Sequence, residues 1–348
     1  MALRWIEGFD WIGTGITDAQ LANILAKRYA YVNVTTSPNA IITDDAFGEG
    51  QALSFREAGQ WIETPALVPS DISGTWVTGF RVRFTSVATD HICVFTFINS
   101  EREQQGALWL HSDGTIYYRT EGWHIAVIPA TIRSYRQQSF YIEVKVYFDN
   151  SVGTVEIRIN GETVLSETGL DTEIHTPNGC IGARWYSWGS GDSRIDDMYV
   201  AQGAGADFLG PLRVFHLKPD GDTADEQWTL SGGSDSYALV DENEPVDDDT
   251  TYLSGTTGQK TLFTYEDVPA GLTDVHGVQL CTSPRQDDVA LDLIQQVKSG
   301  GTEYPRPAQN IASATYTQIQ DIMETDPDTS AAWIEANLNA VQFGVEVD

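Results

Sequence analysis

Residues 140–167, FYIEVKVYFDNSVGTVEIRINGETVLSE, predict three consecutive β-strands. Apolar and polar residues alternate from Phe140 to Phe148, a turn follows at Asp149–Gly153, and a second alternating run ends at Ile159. The next pair, Asn160-Gly161, favours a tight hairpin turn because both residues accept a positive φ. Consecutive hairpins of this kind are typical of an antiparallel β-sandwich rather than of a parallel α/β sheet.

Further strands are predicted on the N-terminal side of this stretch. Residues 76–87 (WVTGFRVRFTSV) and 91–99 (HICVFTFIN) each predict a strand. Residues 107–119 (ALWLHSDGTIYYR) predict a hairpin with Asp113-Gly114 in its turn. The pattern therefore extends the sandwich well beyond the first hairpins.

Helix signals are confined to two short segments. Residues 17–30 (TDAQLANILAKRYA) begin with Thr-Asp, carry apolar residues at helical spacing and end with two basic residues. Residues 328–340 (DTSAAWIEANLNA) offer an Asp-Thr cap before a second apolar face. We predict an all-β protein with few short helices.

The chain of 348 residues is long enough for two domains with real cores. The boundary is predicted in residues 201–211 (AQGAGADFLGP), where glycine, alanine and proline interrupt the strands. A strand is expected to resume at residues 212–222 (LRVFHLKPDGD). The predicted parts are an N-terminal segment with a short helix (1–47), a β-sandwich (48–202) and an acidic β-rich module (203–348).

Charge and composition exclude several classes of function. The net charge is −30, and residues 1–195 carry 14 Lys/Arg and 22 Asp/Glu, whereas residues 196–348 carry 6 and 28. Such a surface repels phosphate backbones, so nucleic-acid binding is not expected. The first residues lack a basic and apolar leader, and no apolar run approaches about 18 residues, so we expect no membrane insertion. Three distant cysteines, Cys93, Cys180 and Cys281, predict neither a disulfide framework nor a zinc site.

Residues 48–200 resemble a laminin-G-like, concanavalin-type jelly roll. The resemblance rests on the hairpins above, on GCIGARW at 179–185 and on the closing RIDDMYV at 194–200. An Ile-Asp-Asp run before an aromatic residue and Val is common in the last strand of such domains. The resemblance implies a β-sandwich with this fold.

The whole chain resembles bacteriophage virion structural proteins. Four further segments carry this resemblance: EGFD at 7–10, FLGPLRV at 208–214, WIEANLN at 333–339 and QFGVEV at 342–347. The class implies capsid decoration or a place in a tail fibre or baseplate, with assembly in the host cytoplasm. Its expected partners are other virion proteins and copies of the same chain, a trimer being one form. The mechanism implied is assembly, with the terminal segments docking to neighbours and the sandwich facing outward.

Catalytic motifs do not stand out in the sequence. It contains no G-x-S-x-G and no H-E-x-x-H, and its two Gly-Gly pairs lack the Lys-Ser/Thr of a phosphate loop. Glycoside hydrolysis needs two carboxylates across a cleft, but Asp196 and Asp197 are adjacent on a strand and should point to opposite faces. We therefore predict a protein that is not an enzyme. One of the two aspartates should bond nearby backbone, and the other should face solvent or a neighbouring subunit.

Calcium is the one cofactor that the acidic residues could hold, through hard oxygen ligands in loops at the end of the sandwich. The candidates are Asp192, Asp196 and Asp197. A second set lies in the acidic half of the chain, although no EF-hand spacing fits it. That set is Asp220, Asp222, Asp247, Asp248 and Asp249. Solvated acidic loops are the competing interpretation.

Aromatic residues are dense enough in the sandwich to suggest a sugar-stacking surface. The candidates for glycan binding are Trp109, Trp185, Tyr186 and Trp188, of which the last three lie in RWYSWGSG at 184–191. The competing interpretation places these rings in the core or in a subunit interface. The alternative functions that remain are therefore a carbohydrate-binding adhesin for a host surface glycan and a polysaccharide depolymerase.

Overall fold

A computed structural model provides the structure of the chain, which divides into two compact units, Met1–Val214 and Phe215–Asp348. Four short strand segments, 41–44, 91–93, 110–111 and 125–128, are described by their backbone alone. The predicted turn at Asp113-Gly114 lies outside the described residues. The structure describes residues 2–34, 41–44, 50–84, 91–111, 115–120, 125–128, 138–187, 193–287 and 290–348.

The first unit consists of two antiparallel sheets and one helix, α1, at Asp18–Ala26. Its strands are β1 Leu3–Glu7, β2 Tyr31–Asn33, β3 Ile41–Asp44, β4 Gln51–Phe55, β5 Gln60–Glu63, β6 Gly74–Phe84, β7 His91–Ile98, β8 Gln104–His111, β9 Ile116–Arg119, β10 Ile125–Ile128, β11 Ser139–Phe148, β12 Gly153–Ile159, β13 Glu162–Leu170, β14 Gly182–Ser187 and β15 Ser193–Gln202.

Sheet A and sheet B face each other as a β-sandwich, which confirms the predicted fold class. Within the described residues, sheet A has the order β13-β12-β11-β6-β15-β4-β3, with β1 on β15, and sheet B has the order β10-β9-β8-β7-β14-β5-β2. One apolar core joins them, since Phe80 of sheet A lies 5.9 Å from Phe95 and 6.5 Å from Trp185 of sheet B, measured between ring centroids. Burial of this core is the main stabilising term of the unit.

The hairpins of residues 140–167 form as predicted. Strand β11 pairs with β12 and β12 with β13, all antiparallel. Asn160 and Gly161 adopt φ values of 51° and 86°, which is the conformation that a two-residue hairpin turn requires. The Asn160 side chain also accepts a hydrogen bond from the Tyr141 backbone N–H at 2.8 Å. Local turn chemistry therefore fixes the register of these strands.

The N-terminal residues belong to the sandwich rather than forming a separate segment. Strand β1 pairs with β15 inside sheet A, and Trp5 and Phe9 are buried in the core. Helix α1 starts at a Thr17 capping box with Gln20 but ends at Ala26, short of the predicted residue 30. The helix ends there because the following residues make contacts outside it. Arg28 pairs with buried Glu7, and Ala30 N–H donates to the Glu63 carbonyl.

Residues 203–214, named here the strap, cover the outer face of sheet A. Their backbone N–H groups at Leu209 and Gly210 donate to the buried Glu143 carboxylate at 3.0 and 2.8 Å. Val214 N–H donates to Asp197 at 2.8 Å. The boundary between the units therefore falls at 214–215 rather than at the predicted 202–203, because the strap belongs to the sandwich.

The second unit is built on sheet C and two small hairpins. Among the described residues, sheet C has the order β16-β19-β25-β21-β22, with β23 on β21, and β17 pairs with β18 and β20 with β24. Its strands are β16 Pro219–Glu226, β17 Thr229–Ser231, β18 Tyr252–Ser254, β19 Lys260–Tyr265, β20 Val278–Thr282, β21 Leu291–Ser299, β22 Thr302–Pro305, β23 Gln309–Ile311, β24 Ile319–Met323 and β25 Gln342–Val347.

The second predicted helix is reduced to one turn, α2, at Glu335–Leu338. Residues 326–331 form a turn instead, because the fully buried Asp326 carboxylate accepts hydrogen bonds from Asp328 N–H and from the side chain of Thr329. The side chain of Asn337 closes this network at 2.6 Å. Within the described residues, no helix is both long and apolar enough to cross a membrane.

Both chain ends are integrated into sheets of their own units. Strand β25 lies between β19 and β21 in sheet C, just as β1 lies on β15 in sheet A. The docking of the terminal segments to neighbouring subunits stays a prediction.

Candidate functional site

A row of four aromatic side chains crosses the outer face of sheet B, the face turned away from sheet A. Trp109 of β8 lies opposite Tyr117 of β9, and Tyr186 of β14 lies opposite Trp61 of β5. Alternation places these residues on the outer face, since their neighbours Leu108, Tyr118, Trp185 and Ile62 all point into the core. We name this row the aromatic stripe.

The aromatic stripe forms a cluster of its own. Tyr186 and Ala107 pack with Trp61 and Trp109 and are not part of the sandwich core. Trp61, Trp109 and Tyr117 are half-buried, whereas Tyr186 is only 4% exposed. Strands in a sheet lie about 4.8 Å apart, so four strand spacings from β9 to β5 give a stripe about 19 Å long. Half-buried rings along such a length offer faces to an extended ligand.

A bulge in β8 lies next to this cluster. The pairing of β7 and β8 shifts register between Thr96 and Ile98, and Gly106 has a φ of 130°. A Cβ at Gly106 would lie 2.2 Å from the Tyr118 hydroxyl, so this position needs glycine. Beside the bulge, the Gln104 side-chain amide donates to the Tyr186 hydroxyl at 2.5 Å.

Charged side chains gather on the same face, in a row next to the aromatic stripe. Glu63, 2% exposed, accepts hydrogen bonds from Arg184 Nε and Nη2 at 2.9 and 2.6 Å. It also accepts from Arg102 Nε and Nη2 at 3.2 and 3.3 Å. The Arg102 guanidinium stacks on the exposed ring of Tyr31. We name Arg102, Glu63 and Arg184 the arginine–glutamate group.

The predicted glycan-binding residues fall into different places. Trp109 lies in the aromatic stripe, and Trp188 lies outside the described residues. Trp185 is a correction, because it is fully buried against Phe95 at 5.5 Å and presents no ring face to a ligand. Tyr186 is in the stripe but almost covered, so it supports its neighbours more than it offers a surface.

Sequence reasoning missed Trp61, Arg102 and Arg184 as members of this face. The available signal for Trp61 was its place beside Ile62 in QWIE at 60–63, where one of two adjacent apolar residues must point outward. The pairing of β5 with β14, which brings Trp61 to Tyr186, joins residues more than 120 positions apart. No local pattern carries that information.

Asp197 anchors the strap to sheet A. Its carboxylate accepts from Arg81 Nε at 2.7 Å and from Val214 N–H at 2.8 Å, and it lies 3.2 Å from Arg213 Nε. The residue has a φ of 50° at a register shift in β15. Burial raises the pKa of Asp197, although the bond from Val214 and the two arginines act in the opposite direction. The expected bond from an aspartate to nearby backbone is present here.

The second aspartate, Asp196, is predicted to face solvent or a neighbouring subunit, but it is buried within the chain. It is 4% exposed, and its carboxylate receives backbone hydrogen bonds at Asp197 and Phe9. The left-handed conformation of Asp197 breaks the alternation of the strand, so the pair does not separate into one buried and one exposed side chain. Burial, followed by the neighbouring Asp197 carboxylate, raises the pKa of Asp196 well above its ordinary value.

The segments EGFD, RIDDMYV and FLGPLRV meet around this point of β15. Phe9 bonds Asp196, the Gly8 Cα faces the Val214 side chain, and Val214 bonds Asp197. Glu7 of the first segment is fully buried and accepts from Trp11 at 2.8 Å and Tyr29 at 2.7 Å. Three motifs separated in sequence thus form one structural unit.

Several of the acidic candidates for calcium make hydrogen bonds or ion pairs within the chain. Among the described residues, no three His, Cys, Asp or Glu side chains come together as metal ligands. Asp222 accepts the backbone N–H groups of Ser236 and Tyr237, and Asp249 pairs with Arg285. Asp192 lies outside the described residues.

Comparisons with known proteins find structures with a similar fold but no family. The chain matches no known protein family, and a search of curated proteins finds no relative. Its fold is similar to alginate lyase Aly36B, with a TM-score of 0.40 and 13% identity over 57% of this chain and 96% of that one. It is also similar to Trypanosoma rangeli sialidase, with a TM-score of 0.33 and 8% identity over 47% of this chain and 29% of that one.

A third similar structure is domain 4 of AbnA, a GH43 extracellular arabinanase from Geobacillus stearothermophilus, solved with arabinotriose. Its TM-score is 0.32, with 16% identity over 48% of this chain and 77% of that one. All three likenesses concern the fold alone.

The prediction that the chain is not an enzyme is corrected. Solved structures with a similar fold include alginate lyases and a sialidase. The absence of familiar motifs was a weak basis for that prediction, because motif searches test only the reaction classes whose motifs they contain.

Proposed function

We propose that this chain binds a polysaccharide along the aromatic stripe of sheet B. The observation that carries the proposal is the cluster of Trp61, Trp109 and Tyr186 on a sheet face, outside the core. Flat, half-buried rings give large contact area with little loss of side-chain freedom, and nearby polar groups fix orientation. The Gln104 amide and the arginine–glutamate group supply such polar groups beside the rings.

The position of the strap supports the choice of face. On sheet A, the outward side chains Tyr141, Glu143 and Tyr199 are each 1% exposed. Two of them are tied to the strap, since Leu209 N–H donates to both Glu143 and the Tyr199 hydroxyl. The outer face of sheet B instead retains a cluster of partly exposed rings, which favours this face for a ligand.

Substitution of the rings tests the proposal. We expect Trp61→Ala and Trp109→Ala each to weaken polysaccharide binding about ten-fold or more, since a buried aromatic contact contributes on the order of 1–3 kcal/mol. Affinity electrophoresis against a panel of bacterial surface polysaccharides measures the effect. Tyr147→Ala is the matched control, because this ring is 41% exposed on sheet A.

Two outcomes of this experiment would decide against the proposal. Binding that survives both tryptophan substitutions would place the ligand elsewhere, and an equal loss in Tyr147→Ala would indicate a general effect. Trp185→Ala is unsuitable as a test because it would open a cavity in the core. The same incubations should be assayed for shortening of the polysaccharide, which would make the stripe part of an active site.

We further propose that the chain acts on the surface of a bacteriophage particle, together with other virion proteins and copies of itself. The meeting of EGFD and FLGPLRV at one point of β15 supports this, because both are segments on which the resemblance to virion proteins rests. Segments that serve one structural unit are expected to occur together in a family.

Particle association is the test of this second proposal. Antibodies against the chain should label intact particles in electron micrographs of a lysate, and the chain should sediment with them. Light scattering of the purified chain should report an oligomer. A chain that stays monomeric and remains in the supernatant would contradict the proposal.

A further inference from the structure

The strap covers buried side chains of sheet A but is itself little buried. Ala206 is the one strap residue that is buried, at 4% exposed, whereas Ala204, Gly205, Asp207 and Pro211 are exposed. The other strap residues, including all its larger apolar side chains, are half-buried. A segment with few buried apolar contacts opens locally more readily than a core. Hydrogen bonds to the sandwich, rather than apolar packing, are therefore the main attachment of the strap.

The strap connects two units that have separate cores. It begins after β15 at Gly203, which has a φ of 119° and whose N–H donates to the Thr75 carbonyl at 3.0 Å. It ends at Val214, the last residue of the first unit. Each unit has its own apolar cluster, and no strap residue belongs to either cluster. The strap can therefore leave sheet A while both cores stay intact.

One oxygen of the Glu143 carboxylate beneath the strap has no hydrogen-bond donor. Its Oε1 accepts from the Leu209 and Gly210 N–H groups of the strap and from the Tyr199 hydroxyl at 2.7 Å. Its Oε2 is buried and receives no hydrogen bond from the described residues. A buried carboxylate oxygen without a donor is unfavourable, because it has lost its water and gained no partner. The docked strap thus leaves half of this carboxylate unsatisfied.

A cation that suits this oxygen lies directly opposite, but it makes other contacts. Arg158 of β12 pairs in register with Glu143 of β11, and residues in such positions have Cβ atoms about 5 Å apart on one face of the sheet. The Arg158 guanidinium instead lies 4.0 Å from the ring centroid of Phe208 in the strap, and its Nη2 contacts Glu156 at 3.0 Å. The strap therefore holds apart two opposite charges that neighbouring strands would otherwise pair.

We propose that the strap is a releasable connection between the two units, and that Arg158 pairs with Glu143 when the strap detaches. The ion pair offsets part of the loss of the strap's N–H donors, because it also satisfies the oxygen that the docked strap leaves without a donor. Fully extended, residues 203–214 span about 40 Å. Detachment thus lengthens the connection to the second unit while both cores stay folded.

Hydrogen exchange of the full chain, followed by mass spectrometry, tests this inference. The strap amides of Leu209 and Gly210 should exchange faster, relative to their intrinsic rates, than those of β11, because the strap opens without the sandwich. Arg158→Met should slow strap exchange about two- to five-fold, since it removes the pair that favours the released state and keeps an apolar stem for Phe208. A strap that exchanges only as slowly as β11 would overturn the inference. Unchanged or faster strap exchange in Arg158→Met would also overturn it, because Arg158 would then have no role in release or would stabilise the docked strap.

Two further variants show whether the charge pair is responsible. In a Glu143→Gln background, Arg158→Met should no longer slow strap exchange, because no carboxylate remains for Arg158 to meet. Lys145→Met is the matched control, since it removes one positive charge from the same face, but Lys145 donates to Asp207 of the strap. Its strap exchange should stay the same or rise. Slowing as large as in Arg158→Met would make net charge responsible, and slowing that persists with Glu143→Gln would exclude the pair, so either result would overturn the inference. Peptides of β6 that stay protected confirm that each variant is folded.

Discussion

Several buried carboxylates hold distant parts of this molecule together through hydrogen bonds and ion pairs. Glu7 is one of them. It is fully buried and receives Trp11, Tyr29 and Arg28, the last at 2.9 Å. Glu7→Gln should cost about 1–3 kcal/mol, because the amide replaces one of the two oxygens that accept from Trp11, Tyr29 and Arg28 and leaves a buried donor unpaired. Denaturant unfolding of the variant measures this, with Asp18→Asn, at the exposed start of α1, as the control.

The difference in stability between the wild type and Glu7→Gln should depend on pH. Burial raises the pKa of Glu7 above its ordinary value of 4.5, more than Arg28 and the hydrogen bonds lower it. The folded state therefore holds this proton more tightly than the unfolded state, and stability falls as pH rises from 4.5 through the folded pKa. The wild type should exceed Glu7→Gln most at acid pH, and a gap that widens with rising pH would contradict the assignment.

Asp326 should behave in the opposite way. Burial acts to raise its pKa, but the hydrogen bonds from Ser299, Asp328 and Asn337 outweigh it and hold the pKa below the ordinary 3.8. Its contribution is therefore present above pH 3.8 and is lost as pH falls through the folded pKa. Asp326→Asn should destabilise the second unit by about 1–3 kcal/mol near neutral pH and by less in acid. Unfolding midpoints measured over a pH series should show that the wild type and Asp326→Asn become more similar in acid. A difference that does not change with pH would contradict this role of Asp326.

The strap is the element whose attachment depends on single residues. Trypsin cleaves after arginine, and Arg213 lies in the strap beside Val214, whose N–H is bound to Asp197. Asp197→Asn should speed cleavage at Arg213 about ten-fold or more, because the strap must detach before a protease can bind it. Asp207→Asn is the control within the same segment, since its pair with Lys145 is exposed and contributes little. Equal cleavage rates in the two variants would show that Asp197 does not anchor the strap.

Strands and hairpins could be predicted from the sequence because their signals are local, as at Asn160-Gly161 and in the alternation of β11. The strap could not, because Glu143 and Asp197 of distant strands hold its backbone at Leu209 and Val214. Residues 212–214, expected to begin a strand, belong to this strap. The candidate site was predicted only at Trp109 and Tyr186. Whether Trp185 or Tyr186 points outward depends on the register between β14 and β5, and this register is a long-range property.

The two units have separate cores, so the chain should divide cleanly at their boundary. Trp185 and Phe95 lie in the first core, and Trp333 and Phe343 lie in the second. A fragment of residues 1–214 should fold and unfold cooperatively, as single domains of this size usually do. A fragment of residues 1–202 should be much less stable, because removal of the strap leaves the buried Glu143 and Asp197 carboxylates without their backbone donors. Thermal unfolding of both fragments by circular dichroism is the measurement. Equal midpoints would mean that the strap does not stabilise sheet A. The domain boundary would then be better placed at 202–203, as expected from the sequence.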